Sequence, residues 1–257
     1  MKVRALQEPP RGWAWWIAVA LVKPALLAMT RHRWIDGEKL PATGGFLLVL
    51  NHISEADPLI AAHLVWDHGR IPRYLAKSGL FKNKLLGWFL RAAGQIPVFR
   101  GGRDAVGAYG AAVAAVYDGK CVVVYPEGTI TRDPALWPMT GKTGAARIAL
   151  ATGCPVIPVG QWGAQEVLAP YAKKPSLFPR KLITMKVGDP IDLADLVPAS
   201  ADVVPTAAQI AQATTRIMDA LTALVADVRG ETPPAVRFDP RTRGISEFGN
   251  PHDGGRQ

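Results

Sequence analysis

The chain has 257 residues, 49% of them apolar, a formal net charge of +9 and two cysteines. That length can bury a sizeable core and fits one α/β catalytic domain with appendages, while the charge asks for an anionic partner such as nucleic acid, a phosphorylated substrate or an acidic membrane surface. Cys121 and Cys154 exclude a disulfide framework and a paired-cysteine zinc site and suit a reducing, cytosolic setting; no run reaches the ~20 apolar residues of a spanning helix, and no small-residue cleavage pattern follows the first apolar run.

In chain order, Trp13 to Met29 is apolar but interrupted by Lys23-Pro24 and flanked by Arg11, Arg31 and Arg33. Two short helices broken at the proline are expected, an amphipathic pair within a membrane-interfacial segment 1–34. Trp13, Trp15, Trp16 and Trp34 suit headgroup depth, so the pair reads either as a monotopic anchor on anionic lipid or as an ordinary helix pair packed on the core. Phe46 to Leu50 is a five-residue apolar run ended by Asn51, the pattern of a parallel strand buried on both faces. A helix follows over Pro58 to Trp66, a strand within Arg70 to Leu75, an amphipathic helix over Asn83 to Ala93 ending near Gly94, and a short strand over Ile96 to Arg100.

Asp104 opens a small-residue helix closed near Gly119, Cys121 to Pro126 is a second buried strand, and Lys142 to Thr152 is a helix stopped by Gly153. Strands are expected at Pro155 to Val159 and Leu182 to Val187, and a helix over Ala207 to Val228. The alternation predicts a layered α/β fold with a largely parallel central sheet flanked by helices, the catalytic domain covering 35–229. The remainder, 230–257, is rich in proline, glycine and charge and is expected to be mobile.

Ligands in such sheets bind beyond the carboxyl ends of the strands, which is where His52 falls. With Asp57 it forms a base and an orienting carboxylate without a protein nucleophile. The same Asp57-Pro58 pair is also an N-cap and first-turn signal for the next helix, and on these residues alone both readings stand. Between Arg70 and Arg103 lie eight basic residues, Arg70, Arg73, Lys77, Lys82, Lys84, Arg91, Arg100 and Arg103, and no acidic one. Lys82, Lys84 and Trp88 suit lipid headgroups, and Arg100, between a strand and two glycines, is placed like a phosphate clamp. Tyr125-Pro-Glu-Gly-Thr129 ends the second strong strand, so it shares a sheet edge with His52 if the two strands are parallel. Its Glu127 is a candidate hydrogen-bonding group and Gly128 permits close backbone approach. Phosphate-loop, serine-elbow and zinc-helix motifs are absent.

Four blocks then occur in order: Asn51-His52-x4-Asp57, Phe99-Arg100 before a glycine pair, Pro126-Glu127-Gly128-Thr129, and Val156-Ile-Pro-Val159. Over roughly residues 35–190 this resembles the glycerolipid acyltransferase family of the lysophosphatidic acid acyltransferase (PlsC) type. Lys142, with Gly144 and Ala145, also matches the pattern. The resemblance implies that His52 is the general base, oriented by Asp57, on an acceptor hydroxyl that attacks the thioester of acyl-CoA or acyl carrier protein without an acyl-enzyme. It further implies that Asn51, Phe99, Arg100, Glu127, Gly128, Thr129, Arg132 and Lys142 form the substrate side, with 1-acylglycerol 3-phosphate as acceptor and phosphatidic acid as product. Ile130 stands where the family often has an arginine, and Arg132 comes two residues later.

No metal and no permanently bound cofactor is expected, the acyl donor being a substrate. The expected partners are the phosphorylated glycerol lipid, acyl-CoA and an anionic membrane surface on the cytoplasmic face, rather than nucleic acid. Glycerol 3-phosphate or a glycolipid is the alternative acceptor. The rival classes are a non-catalytic binder of nucleic acid or anionic lipid and a lipid hydrolase that lets water replace the acceptor.

Overall fold

A computed structural model describes residues 4–6, 13–98, 103–200 and 203–246. Phe99, Arg100, Arg11, the glycine pair after Arg100 and the last eleven residues, with His252, lie outside the described residues, as does the side chain of Arg103. The described chain carries a seven-stranded sheet with helices on both faces. Its strands are β1 (Thr30–Ile35), β2 (Phe46–Leu50), β3 (Pro72–Lys77), β4 (Ile96–Val98), β5 (Cys121–Val124), β6 (Val156–Trp162) and β7 (Lys181–Val187), in the spatial order β1-β7-β6-β2-β5-β3-β4. The helices are α1 (Trp13–Met29), α2 (Asp57–Asp67), α3 (Lys84–Ala92), α4 (Arg103–Tyr117), α5 (Gly144–Thr152), α6 (Ala164–Val167) and α7 (Ala207–Arg229).

The unbroken apolar runs became the centre of the sheet. β2 pairs in parallel with β5 on one side and β6 on the other, and every residue of β2 and β5 is buried. Because β2 and β5 run the same way, the loops that follow Leu50 and Val124 leave the same edge. β6 and β7 are antiparallel, while β1 runs parallel to β7, so the last two strands on that side oppose the other five.

The N-terminal segment differs from expectation in three respects. Residues on both sides of Pro24 are helical, and they run on as one helix. The carbonyl of Ala20, which Pro24 leaves without its helical partner, belongs to an exposed residue that water can reach. α1 is also apolar on its outer face: it buries Ala14, Trp15 and Leu26 but exposes Trp16 and Leu21. Thirdly, Thr30–Ile35, assigned by composition to the interfacial segment, is an edge strand of the catalytic sheet, so the boundary at residue 34 cuts through β1.

Two basic residues expected on an anion-facing surface hold the fold instead. Arg70 is 2% exposed, and its guanidinium donates to the carbonyls of Pro41, Gly44 and Gly119 at 2.7–2.8 Å while lying over the Phe46 ring. Arg73 donates to the Ala93 carbonyl at 2.7 Å. The tail beyond α7 also departs from expectation over residues 231–246. Phe238 accepts from the Thr140 amide at 2.9 Å, and Arg237 pairs with Asp219 of α7, which docks this stretch onto the loop after β5.

Candidate active site

The site is assembled where the loops after β2 and β5 meet. Glu127 Oε1 accepts from the His52 amide at 3.0 Å, and the Thr131 amide donates to the His52 carbonyl at 2.8 Å, so one loop grips both main-chain groups of His52. The His52 ring stacks on Tyr125 with centroids 4.4 Å apart. Its Nδ1 is 2.7 Å from Asp57 Oδ2. That oxygen also accepts from the amides of Ile53 and Ser54 at 2.7 and 2.9 Å, while Oδ1 has no hydrogen-bond partner.

Asp57 therefore does not cap α2 in the forward direction that its sequence position suggests. It opens the helix, with Pro58 in the first turn, but its carboxylate is turned back onto the loop that carries His52. Three donors converging on a fully buried oxygen suit an anion. An imidazole that donates Nδ1–H to it carries its lone pair on Nε2, the atom left for chemistry. The nearby Ser54 hydroxyl donates to the Leu168 carbonyl at 2.7 Å and accepts from the Ala56 amide at 3.0 Å, so it is engaged away from His52.

Glu127 is 1% exposed and its second oxygen accepts from the Met139 amide at 3.0 Å. Burial pushes its carboxyl up to about 7 against the pull of these two amides. Its partners are groups of the protein itself, the amides of His52 and Met139 and the Thr131 side chain, so its carboxylate is committed to holding the loop around His52. Asn51 is likewise turned inward. It is fully buried, its side chain pairs with both main-chain groups of Gln161, and the Gln161 side-chain Nε2 donates to the Asn51 main-chain carbonyl at 2.7 Å. These bonds tie the ends of β2 and β6 together just before His52. Gln161 had a visible signal, a lone amide in an otherwise apolar strand.

A cavity of about 860 Å³ runs from this point between α1, α2 and α3. His52, Gly128, Thr129 and Lys142 line its polar end, and Trp15, Val19, Leu26, Leu59, Trp66 and Phe89 its apolar reach. Arg132 stands behind that surface. It donates to the hydroxyl of Tyr171, which lines the cavity, and its guanidinium lies 5.0 Å from the Tyr171 ring. Tyr171 carried no sequence signal; it adopts a left-handed backbone at φ 62° with its amide on Glu55.

Gly128 is needed for two reasons: its φ is +70°, and a Cβ there would lie 3.1 Å from Lys142 Cδ. Gly128→Ala is expected to cost about 1–2 kcal/mol of stability and to push Lys142 aside. A thermal melt registers the first effect, and an unchanged melting temperature would show that the left-handed backbone at this position is not strained by a side chain.

The chain is similar to several known proteins. A 1-acyl-sn-glycerol-3-phosphate acyltransferase of Bacillus subtilis is 29% identical over 161 residues, 62% of this chain and 72% of that protein. The chloroplastic 1-acyl-sn-glycerol-3-phosphate acyltransferase BAT2 of Brassica napus is 28% identical over 118 residues, 46% of this chain; the match spans about a third of the plant protein, 34%. The crystal structure of the 1-acyl-sn-glycerophosphate acyltransferase PlsC from Thermotoga maritima shares the fold, with a TM-score of 0.62 at 21% identity over 85% of this chain and 80% of that one. The family model described as Acyltransferase matches residues 32–162, about half of the chain and the stretch that carries β1 to β6 with His52, Asp57 and Glu127, and the chain belongs to that family.

Proposed function

We propose that this chain moves a fatty acyl group from acyl-CoA or acyl carrier protein to the free hydroxyl of 1-acylglycerol 3-phosphate, giving phosphatidic acid. The observation that carries this reading is His52. Its main chain is gripped from both sides, its Nδ1 is fixed by Asp57, and it stands at the polar end of a long apolar cavity. Nε2 takes the proton of the acceptor hydroxyl as that oxygen attacks the thioester carbonyl. Asp57 stabilises the imidazolium. Collapse of the tetrahedral adduct breaks the carbon–sulfur bond, and the proton passes from the imidazolium to the leaving thiolate.

The acceptor phosphate is assigned to Lys142, a cation on the cavity wall beside Gly128, because Ile130 stands at the usual arginine position and Arg132 is engaged with Tyr171. Purified enzyme with an acyl-CoA and acyl-carrier-protein series, assayed against 1-acylglycerol 3-phosphate, glycerol 3-phosphate and a glycolipid with positional analysis of the product, tests the assignment. Faster turnover of either alternative acceptor would replace it. Free fatty acid released at the same rate without acceptor would make the protein a hydrolase.

The same reading places the protein on an anionic membrane, as a monotopic or peripheral enzyme of the cytoplasmic face. Among the described residues no helix is long and apolar enough to cross a bilayer. What supports surface binding is the outer face of α1 and α3, where Trp16, Leu21, Leu85 and Trp88 are 53–74% exposed beside the exposed Lys82 and Lys84. Trp13 stacks on Trp88 at 4.4 Å and joins the two helices into one surface. Replacing Trp16 and Trp88 together by serine is expected to cut co-sedimentation with phosphatidylglycerol vesicles at least tenfold while the circular dichroism spectrum is kept; unchanged sedimentation would sink this orientation.

A further inference from the structure

The segment between α6 and β7 is rooted in the site but carries its tip outside it. At the root, the Ser176 amide donates to the Val167 carbonyl at 2.7 Å, the Leu168 carbonyl accepts from Ser54, and the amide of the cavity-lining Tyr171 donates to Glu55. Ser54 and Glu55 belong to the loop that carries His52. At the far end, the Arg180 guanidinium donates to the carbonyls of Leu27 and Thr30, both at 2.7 Å, and fastens the segment to the C-terminus of α1.

Between these anchors residues 173–180 are all exposed. Phe178 is 77% exposed, and Leu177 before it and Leu182 after it are exposed as well. Pro175 and Pro179 flank the tip, Lys173, Lys174, Arg180 and Lys181 surround it, and from Val167 to Gly188 the chain has no acidic residue. A single exposed leucine is ordinary on a protein surface, whereas a contiguous apolar patch marks an interaction surface. The two prolines restrict the tip and lower the entropy lost when a partner orders it.

The surroundings say which partner. Leu182 lies beside the exposed Arg31 across the β1–β7 pairing, and Leu27, whose carbonyl Arg180 holds, exposes its side chain on the same helix as Trp16 and Leu21. The tip thus continues the apolar outer face of α1 at the end away from Trp13 and Trp88; Trp13 to Leu27 spans about 21 Å of helix rise. Apolar side chains on a convex tip, with long cationic side chains around them, match the boundary between acyl chains and anionic headgroups.

We propose that residues 173–182 form a second membrane-docking element, in which Leu177 and Phe178 enter an anionic bilayer while Lys173, Lys174 and Lys181 meet headgroup phosphates. This rests on the surface-binding reading of α1 and α3 and widens that footprint toward the loop that carries His52. Contact through the Trp13–Trp88 end alone leaves the protein free to pivot. A contact at the other end of α1, rooted on Ser54 and Glu55, holds the polar end of the cavity at the headgroup layer, where the phosphate of a lysophospholipid lies.

The test is co-sedimentation of the full chain with phosphatidylglycerol and phosphatidylcholine vesicles, beside turnover on an acceptor embedded in the vesicles and on a water-soluble short-chain acceptor. Phe178→Ser is expected to weaken binding to phosphatidylglycerol about tenfold. The double variant Lys173→Glu with Lys174→Glu is expected to weaken it by about tenfold or more at low salt, with the effect shrinking as salt is raised and absent on phosphatidylcholine. None of these three side chains lines the cavity, so both variants should keep the circular dichroism spectrum and the rate on the soluble acceptor while losing rate on the embedded one. Unchanged vesicle binding in both variants overturns the proposal. So does a loss confined to turnover with acyl carrier protein as donor while vesicle binding is kept, which would make the tip a protein-docking surface. Vesicle binding lost in the Trp16 and Trp88 variant but kept in both loop variants leaves α1 and α3 as the membrane face without this element; the reverse pattern keeps this element and removes that face.

Discussion

Replacing His52 by alanine is expected to lower kcat for acyl transfer by about 10²–10⁴-fold, the range for a lost general base, with the fold retained. The side chain is 17% exposed and its fixed neighbours, Glu127 and Thr131, bind the main chain, which alanine keeps. Asp57→Asn separates charge from tautomer. The carbonyl oxygen of asparagine can take the place of Oδ2 and still accept from Ile53, Ser54 and His52, which puts the amide nitrogen where Oδ1 now has no partner. The tautomer then survives and the negative charge is lost, so kcat should fall with KM for the acceptor little changed. Since Asp57 acts through His52, the double variant should be no slower than His52→Ala. Full turnover by His52→Ala would remove it as the base, and a further loss in the double variant would give Asp57 a separate role.

The parts of this molecule that were legible in its sequence are those where burial and periodicity agree. Phe46–Leu50, Cys121–Val124 and the first residues of Val156–Trp162 read as buried strands because both faces are covered, and α3 and α7 read as helices from their apolar spacing; in the structure their starts are capped locally by Asn83 and by Thr206 with Gln209. Strand β1 was not legible. Its Thr-Arg-His-Arg-Trp-Ile sequence pairs on one side only, and its polar groups are explained by Asp67 and α1 rather than by the strand itself. The reversed direction of β7 is likewise fixed by its pairing with β6 and leaves no mark on its own residues.

The candidate site shows the same division. A motif string identifies which residues gather there but not which way each polar group faces. Asn51 and Glu127 look like ligand-binding groups, yet both are buried and spend their hydrogen bonds on Gln161, His52 and Met139. Arg70 belongs by sequence to a basic block and by structure to the core, where three carbonyls replace water around its guanidinium. Long-range hydrogen bonds of this kind depend on which loops the topology brings together, information that no local window contains.

Glu127 gives the second large effect, and it is one of pH. Its carboxyl moves from an ordinary 4.5 in the unfolded chain to about 7 in the folded one, because burial disfavours the charge. Between those values the folded state holds a proton that the unfolded state has released, so this group's contribution is full below pH 4.5 and falls as pH rises through 7. The loss amounts to about 3 kcal/mol. Glu127→Gln removes the titration. One of its two positions then sets an amide N–H against the N–H of His52 or Met139, a cost of about 1–3 kcal/mol at every pH, so the variant should melt well below the wild type at pH 5 and lose most of that difference by pH 8. Melting curves across that range, with kcat measured on the same samples, check both halves. Parallel wild-type and variant curves would show that Glu127 is ionised throughout, and an unchanged kcat would mean that its hold on the His52 amide does not set the position of the base.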